Sequence, residues 1–142
     1  MILPAEIQRK ASSAGVRDQQ IEKDYVLSWI FNGIAHHHSL SHSLPFKGGI
    51  VLKKFYFRDY RFSEVLDFTL LTPDVSNTTI FQQFKKVFEL VREEANIPLE
   101  IIDDNEHEDG GVDFYIGYIG PLGGQSRNKK IKVDISKTEI KL

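Results

Sequence analysis

Hydrophobic positions divide the chain into an early helical part and a late strand-rich part. Residues Pro4 to Ala14 read as a short helix, with Pro4 in its first turn and Gly15 just past its end. Ile21, Tyr25, Val26, Trp29, Ile30, Gly33 and Ile34 recur at the three- and four-residue spacing of one buried face. This predicts a helix over Gln19 to Ala35, capped by Asp18. His36 to Ser43 is polar and aperiodic and reads as a loop, and Leu44-Pro45-Phe46 followed by Gly48-Gly49 reads as a strand end and a turn. Ile50, Val51, Leu52, Phe55 and Tyr56 fit one side of a short helix, with Lys53 and Lys54 off that side.

Val65 to Leu71 is almost continuously apolar and predicts a strand, in which Asp67 and Thr69 share a face. Ser76 to Thr79 offer capping hydroxyls for a helix that carries Phe81, Phe84, Val87, Phe88, Leu90 and Val91 to about Glu94. The helical spacing of those aromatics marks them as core, not as a base-stacking platform. Strands are expected over Leu99 to Asp103, Val112 to Ile119 and Lys130 to Ser136, separated by turns at Glu108 to Gly111 and Pro121 to Gly124. The fold class that follows is α+β, a mixed sheet of about four or five strands flanked by helices. No repeat, low-complexity tract or linker composition interrupts it, so residues 1–142 are expected to form a single domain.

Composition narrows the chemistry. The 142 residues are 41% hydrophobic and 27% charged, which suits one globular domain. A formal net charge of -2 supplies no global attraction to nucleic acid or to an anionic membrane, so any polyanion contact has to be a local patch. The absence of cysteine excludes disulfides, thiolate metal sites and a thiol nucleophile. No run approaches about 18 apolar residues, and the first residues are charged too soon for a signal peptide. The expectation is a soluble, cytoplasmic protein with no membrane contact.

Three features stand in a meaningful order: the Gly48-Gly49 turn, Asp67 between Leu66 and Phe68, and Asp134 between Val133 and Ile135. A carboxylate in an apolar strand persists when it is paired, hydrogen-bonded or bound to a metal. Two of them point to a shared cation, and hard oxygen ligands suit Mg²⁺ together with substrate phosphate oxygens. Glycines let a backbone approach phosphates closely, with the N–H groups of a following helix aimed at them. Together these describe metal-assisted phosphoryl or nucleotidyl transfer. Taken singly, each also fits an ordinary strand-to-helix turn or an edge carboxylate that reaches solvent.

Phe46-Lys47-Gly48-Gly49-Ile50-Val51-Leu52 and Arg61-Phe62-Ser63-Glu64-Val65-Leu66-Asp67-Phe68-Thr69 resemble the signature of the AbiEii/AbiGii-type toxin nucleotidyltransferases. That family lies within the polymerase-β-like nucleotidyltransferase superfamily. Ile21-Glu22-Lys23-Asp24-Tyr25 resembles its N-terminal helix, and Ile131 to Ser136 its third-carboxylate strand. The resemblance implies two metal ions, expected to be Mg²⁺, clamped by three carboxylates, with transfer of NMP from an NTP to an RNA acceptor such as a tRNA end. It also implies a cognate antitoxin and a role in type IV toxin–antitoxin or phage abortive infection systems. Residue by residue, Gly48 and Gly49 match the phosphate-binding turn, and Asp67 and Asp134 match the second and third carboxylates as catalytic metal ligands. Lys47, Lys53 and Arg61 stand where cations would meet the triphosphate.

Two departures fall inside the motif. Val65 occupies the place of the first aspartate and cannot ligate a metal; Ile50 occupies the place of a Ser or Thr whose hydroxyl would contact phosphate. Glu64 is expected to face away from Asp67. Impaired transfer is therefore expected, the alternative being an inactive remnant that binds nucleotide, RNA or a protein partner. The family's helical C-terminal region is expected to be missing.

The remaining charged runs read as solvated. His36-His37-His38 with His42 splays around a helix end, and Asp103 to Asp109 lacks the spacing of a Ca²⁺ loop. Lys53, Lys54, Arg58 and Arg61, and later Arg127, Lys129, Lys130 and Lys132, form two basic clusters near the carboxylates that could meet triphosphate or RNA backbone.

Overall fold

A computed structural model describes residues 1–36, 50–57, 64–70, 76–108, 110–124 and 129–137. Helix α1 spans Pro4–Ala14 and ends at Gly15, whose φ of 69° lets its N–H turn back to the helix. Helix α2 runs from Asp18–His36, so Asp18 is its first residue instead of its cap. Helix α3 spans Asn77–Ala95. Ser76 caps it, its Oγ accepting the Thr79 N–H at 3.2 Å, and Asn96 closes it in the left-handed region with its N–H on the Arg92 carbonyl.

Strands β1 (Ile50–Phe57), β2 (Glu64–Leu70), β3 (Leu99–Glu106), β4 (Val112–Tyr118) and β5 (Lys130–Lys137) form a five-stranded sheet in the order β1-β2-β5-β4-β3. Only the β2/β5 pair is parallel; β1/β2, β4/β5 and β3/β4 are antiparallel. The architecture is α+β. The parallel pair is made possible because α3 and the β3–β4 hairpin lie between β2 and β5 in the chain, long enough for a crossover.

The expected helix over residues 50–56 is instead strand β1. Its register against β2 advances by two residues on β1 between Leu52 and Lys54, but by one between Phe68 and Asp67. That bulge at Lys53 breaks the alternation of a strand and imitates a helical spacing, while Ile, Val, Phe and Tyr favour the extended state. Strand β3 likewise outlasts its expected end at Asp103. A second register shift lies between Ile102 and Asn105, with Asp103 at a φ of 52°, a conformation Asp tolerates.

Alternation puts Leu66 and Phe68, Ile131, Val133 and Ile135, and Val112, Phe114, Ile116 and Tyr118 in one core with Val26, Leu27 and Ile30 of α2 and Ile80, Phe84, Val87 and Val91 of α3. The Phe84 ring sits edge-on to Phe114 at 5.3 Å and to Phe68 at 6.4 Å. These contacts confirm the aromatic helix as core. Asp113, Tyr115, Lys132 and Asp134 occupy the alternate positions of β4 and β5 and are half-buried. No helix among the described residues is long and apolar enough to cross a membrane.

Candidate functional site

The sheet register assembles the site. Asp67 on β2 pairs with Asp134 on β5 across the parallel strands, and Asp134 pairs with Asp113 on β4. The same level continues outward to Lys54 on β1 and Asn105 on β3. Paired residues of neighbouring strands occupy one face about 4.5–5.5 Å apart. Asp67, Asp134 and Asp113 thus stand at one level of three adjacent strands, whose Leu66 and Phe68, Val133 and Ile135, and Val112 and Phe114 belong to the core. The next level holds Val65, Lys132 and Tyr115.

Asp67 and Asp134, picked out from distant parts of the sequence, are therefore register partners at the centre of the sheet. Asp113 was missed, although it met the criterion used for the other two: it stands between the apolar Val112 and Phe114. Its Oδ2 lies 2.6 Å from Nε2 of His107, with both side chains half-buried. His107 is itself fixed at the hairpin tip, where its N–H donates to the Gly111 carbonyl at 2.8 Å and its carbonyl accepts from the Gly110 N–H at 3.0 Å. The acidic run after Asp103 therefore supplies a partner for Asp113 as well as solvated tip residues.

Of the expected cations, Lys53 lies at the β1 bulge and Lys54 opposite Asp67. Lys47, Gly48, Gly49 and Arg61 lie outside the described residues. The chain beyond Gly49 is strand β1, so the turn is not followed by the helix that was expected to aim its N–H groups at phosphate. Lys129, grouped by sequence with cations that could meet polyanion, is engaged elsewhere. Its Nζ donates to Oε1 of the fully buried Glu22 at 2.7 Å and to the Gly123 carbonyl at 2.6 Å. His36 ends α2 exposed, its Nδ1 2.7 Å from the Asn32 carbonyl, as expected of a solvated helix end.

Among the described residues, no three His, Cys, Asp or Glu side chains converge tightly enough to hold a metal ion. The donor types in the central row are nevertheless the hard oxygens that Mg²⁺ takes, usually from one or two carboxylates. Asp67 and Asp134 fit that requirement by chemistry and by register.

The model of a protein family described as AbiEii, nucleotidyl transferase AbiEii toxin, Type IV TA system, matches residues 30–140. The chain belongs to the AbiEii family. Neither the curated proteins nor the solved structures gave a match. The AbiEii match takes in the last turns of α2, α3 and all five strands, and so contains all three aspartates. Glu22 lies before it and Lys129 within it, so their ion pair ties the matched region to the start of α2.

Proposed function

We propose that this chain is a toxin domain of a type IV toxin–antitoxin system, with a polymerase-β-like fold, that transfers NMP from an NTP to an RNA acceptor in the cytoplasm. The observation that carries this reading is the register pairing of Asp67 with Asp134 at the centre of an AbiEii-family sheet. In the transfer, the acceptor hydroxyl oxygen bonds to the α-phosphorus and the bond to the bridging oxygen of the β-phosphate breaks. Pyrophosphate leaves, and the hydroxyl proton passes to a carboxylate of the row or to water.

Asp67 and Asp134 would hold Mg²⁺, which when bound neutralises charge on the phosphate oxygens. Lys47, Lys53 and Arg61 bind the triphosphate as point and forked cations. Gly48 and Gly49 would let the backbone approach it through their own amides, since strand β1 and not a helix follows. A cognate antitoxin is the protein partner of this reading.

Val65 pairs with Lys132 where a further carboxylate of the clamp belongs, so transfer by this chain is slow. The same observation favours a second reading, an inactive domain that keeps nucleotide, RNA or partner binding. Calorimetric titration with each of the four NTPs, with and without Mg²⁺, tests the first reading. Mg²⁺-dependent affinity that is lost in both Asp67→Asn and Asp134→Asn supports it. Absence of binding to every NTP removes the transferase reading and leaves an inherited fold that acts through partner contact.

A further inference from the structure

Lys129, Lys130 and Lys132 at the start of β5 do not act as a unit. Lys129 is committed to Glu22 and the Gly123 carbonyl. Lys130 lies over the face of Tyr115, its Nζ 4.4 Å from the ring centroid. Its contact with Asp103 is long, 3.8 Å, and the Asp103 side chain is 69% exposed, so solvent screens that pair. Lys132 stands beside Tyr115 in the β4/β5 register. Two cations and an aromatic ring thus share one patch of the sheet. Single register steps of two residues, about 6.7 Å, separate Tyr115 from Asp113 and Lys132 from Asp134.

We propose that this patch, Tyr115 with Lys130 and Lys132, docks the single-stranded end of the RNA acceptor, with one base stacked on Tyr115 and the adjoining phosphates at the two lysines. The proposal rests on the reading that the acceptor is RNA. An aromatic face combined with flanking cations is how proteins hold single strands without reading their sequence. The ammonium now over the ring sits on a flexible four-carbon stem, so a base can take the ring while the cation moves to a phosphate. The neighbouring charges also set the direction of the strand. Asp134, one register step from Lys132, repels phosphate where the two lysines attract it, which favours the uncharged terminal hydroxyl at the carboxylate end of the patch.

The test measures binding of a fluorescent eight-nucleotide single-stranded RNA by anisotropy over a salt series, beside the NTP titration, using the full chain and its Tyr115→Ala, Tyr115→Phe and Lys130→Ala/Lys132→Ala variants. Tyr115→Ala is expected to weaken RNA binding by about 5- to 150-fold while Tyr115→Phe keeps it, since stacking needs the ring and not the hydroxyl. The double lysine variant is expected to flatten the slope of log affinity against log salt by about 1.4, two phosphate contacts at about 0.7 each. NTP affinity is expected to stay unchanged in the two Tyr115 variants. RNA binding unaffected by Tyr115→Ala overturns the proposal, as does an equal loss of RNA and NTP binding. If the unsubstituted protein binds NTP but no RNA, the docking patch fails and the nucleotide site survives. If it binds neither, both fall.

Discussion

Glu22 and Lys129, 107 residues apart, meet at 2.7 Å and fasten α2 to the loop between β4 and β5. The other Glu22 oxygen accepts the Leu122 N–H at 2.6 Å, so both carboxylate oxygens are used in a side chain with no solvent exposure. The backbone fits around it closely. A Cβ at Gly120 would lie 2.7 Å from the Glu22 Cγ, which explains glycine there. The loop so held leads from the strand of Asp113 to the strand of Asp134.

The two ends of this pair are unequal, and substitutions should reveal it. Lys129→Met strands an ionised carboxylate in the interior and is expected to cost about 3–5 kcal/mol. Glu22→Gln keeps the shape and an acceptor for Leu122, and Lys129, whose side chain is 20% exposed, can turn to water. Its expected cost is about 1–3 kcal/mol. Urea denaturation of both variants decides, and equal losses would show that burial of Glu22 does not govern the pair.

Gly33 reverses the usual effect of alanine in a helix. At an ordinary helical site Gly→Ala stabilises by about 1 kcal/mol. Here an added Cβ would lie 2.8 Å from Val87 Cγ1 and 3.2 Å from Val91 Cγ2, where α2 crosses α3. Gly33→Ala is therefore expected to destabilise by about 1–3 kcal/mol through overpacking. In a Val87→Ala background the same change should cost much less, because the nearer methyl is gone. Thermal melts of the four proteins give the coupling directly.

How much was legible in the sequence differs by residue. The α3 core face and a capping hydroxyl within Ser76 to Thr79 were legible because periodicity and capping chemistry act within a few residues. Strand β1 was misread because the bulge at Lys53 removes the one local signal that separates strand from helix. Asp67 and Asp134 could be found as carboxylates in apolar strands, but that they are partners depends on the parallel β2/β5 pairing, which no local pattern encodes. The role of Glu22 was equally hidden, since its partners Leu122 and Lys129 lie at the far end of the chain. Lys129 looked like a free cation for the same reason.

Asp24 gives the chain one predicted acid response. Partial burial raises its carboxyl above the ordinary 3.8, with neighbouring Lys23 pulling the other way. The folded state thus binds the proton more tightly than the unfolded chain. The stability this group contributes is present below 3.8 and is lost as pH rises through the raised value. Ionised Asp24 therefore opposes folding slightly at neutral pH. Asp24→Asn is expected to raise stability at pH 7 by no more than about 0.5 kcal/mol, since the residue is largely solvated, and the gain should vanish on acidification. Denaturation midpoints from pH 3 to pH 7 check this, and a gain that grows toward low pH would contradict the sign.

Val65→Asp is the substitution that separates an impaired transferase from a remnant. Position 65 pairs with Lys132 and lies two residues before Asp67, so a carboxylate there joins the strand of the proposed ligand Asp67 with a cation at its own register level. That cation limits the cost of placing a charge in β2, which would otherwise be about 1–3 kcal/mol. Mg²⁺-dependent NTP affinity is expected to rise about tenfold or more, about 1.4 kcal/mol, as befits one added charged ligand. Val65→Asn, of similar size but uncharged, should give no gain, and Val65→Asp/Asp134→Asn should lose it. Calorimetry beside thermal melts distinguishes the outcomes. A Val65→Asp protein that melts like the unsubstituted chain yet binds Mg²⁺ and NTP no better would mean that position 65 is not part of a working metal site, and the domain would then act by binding alone.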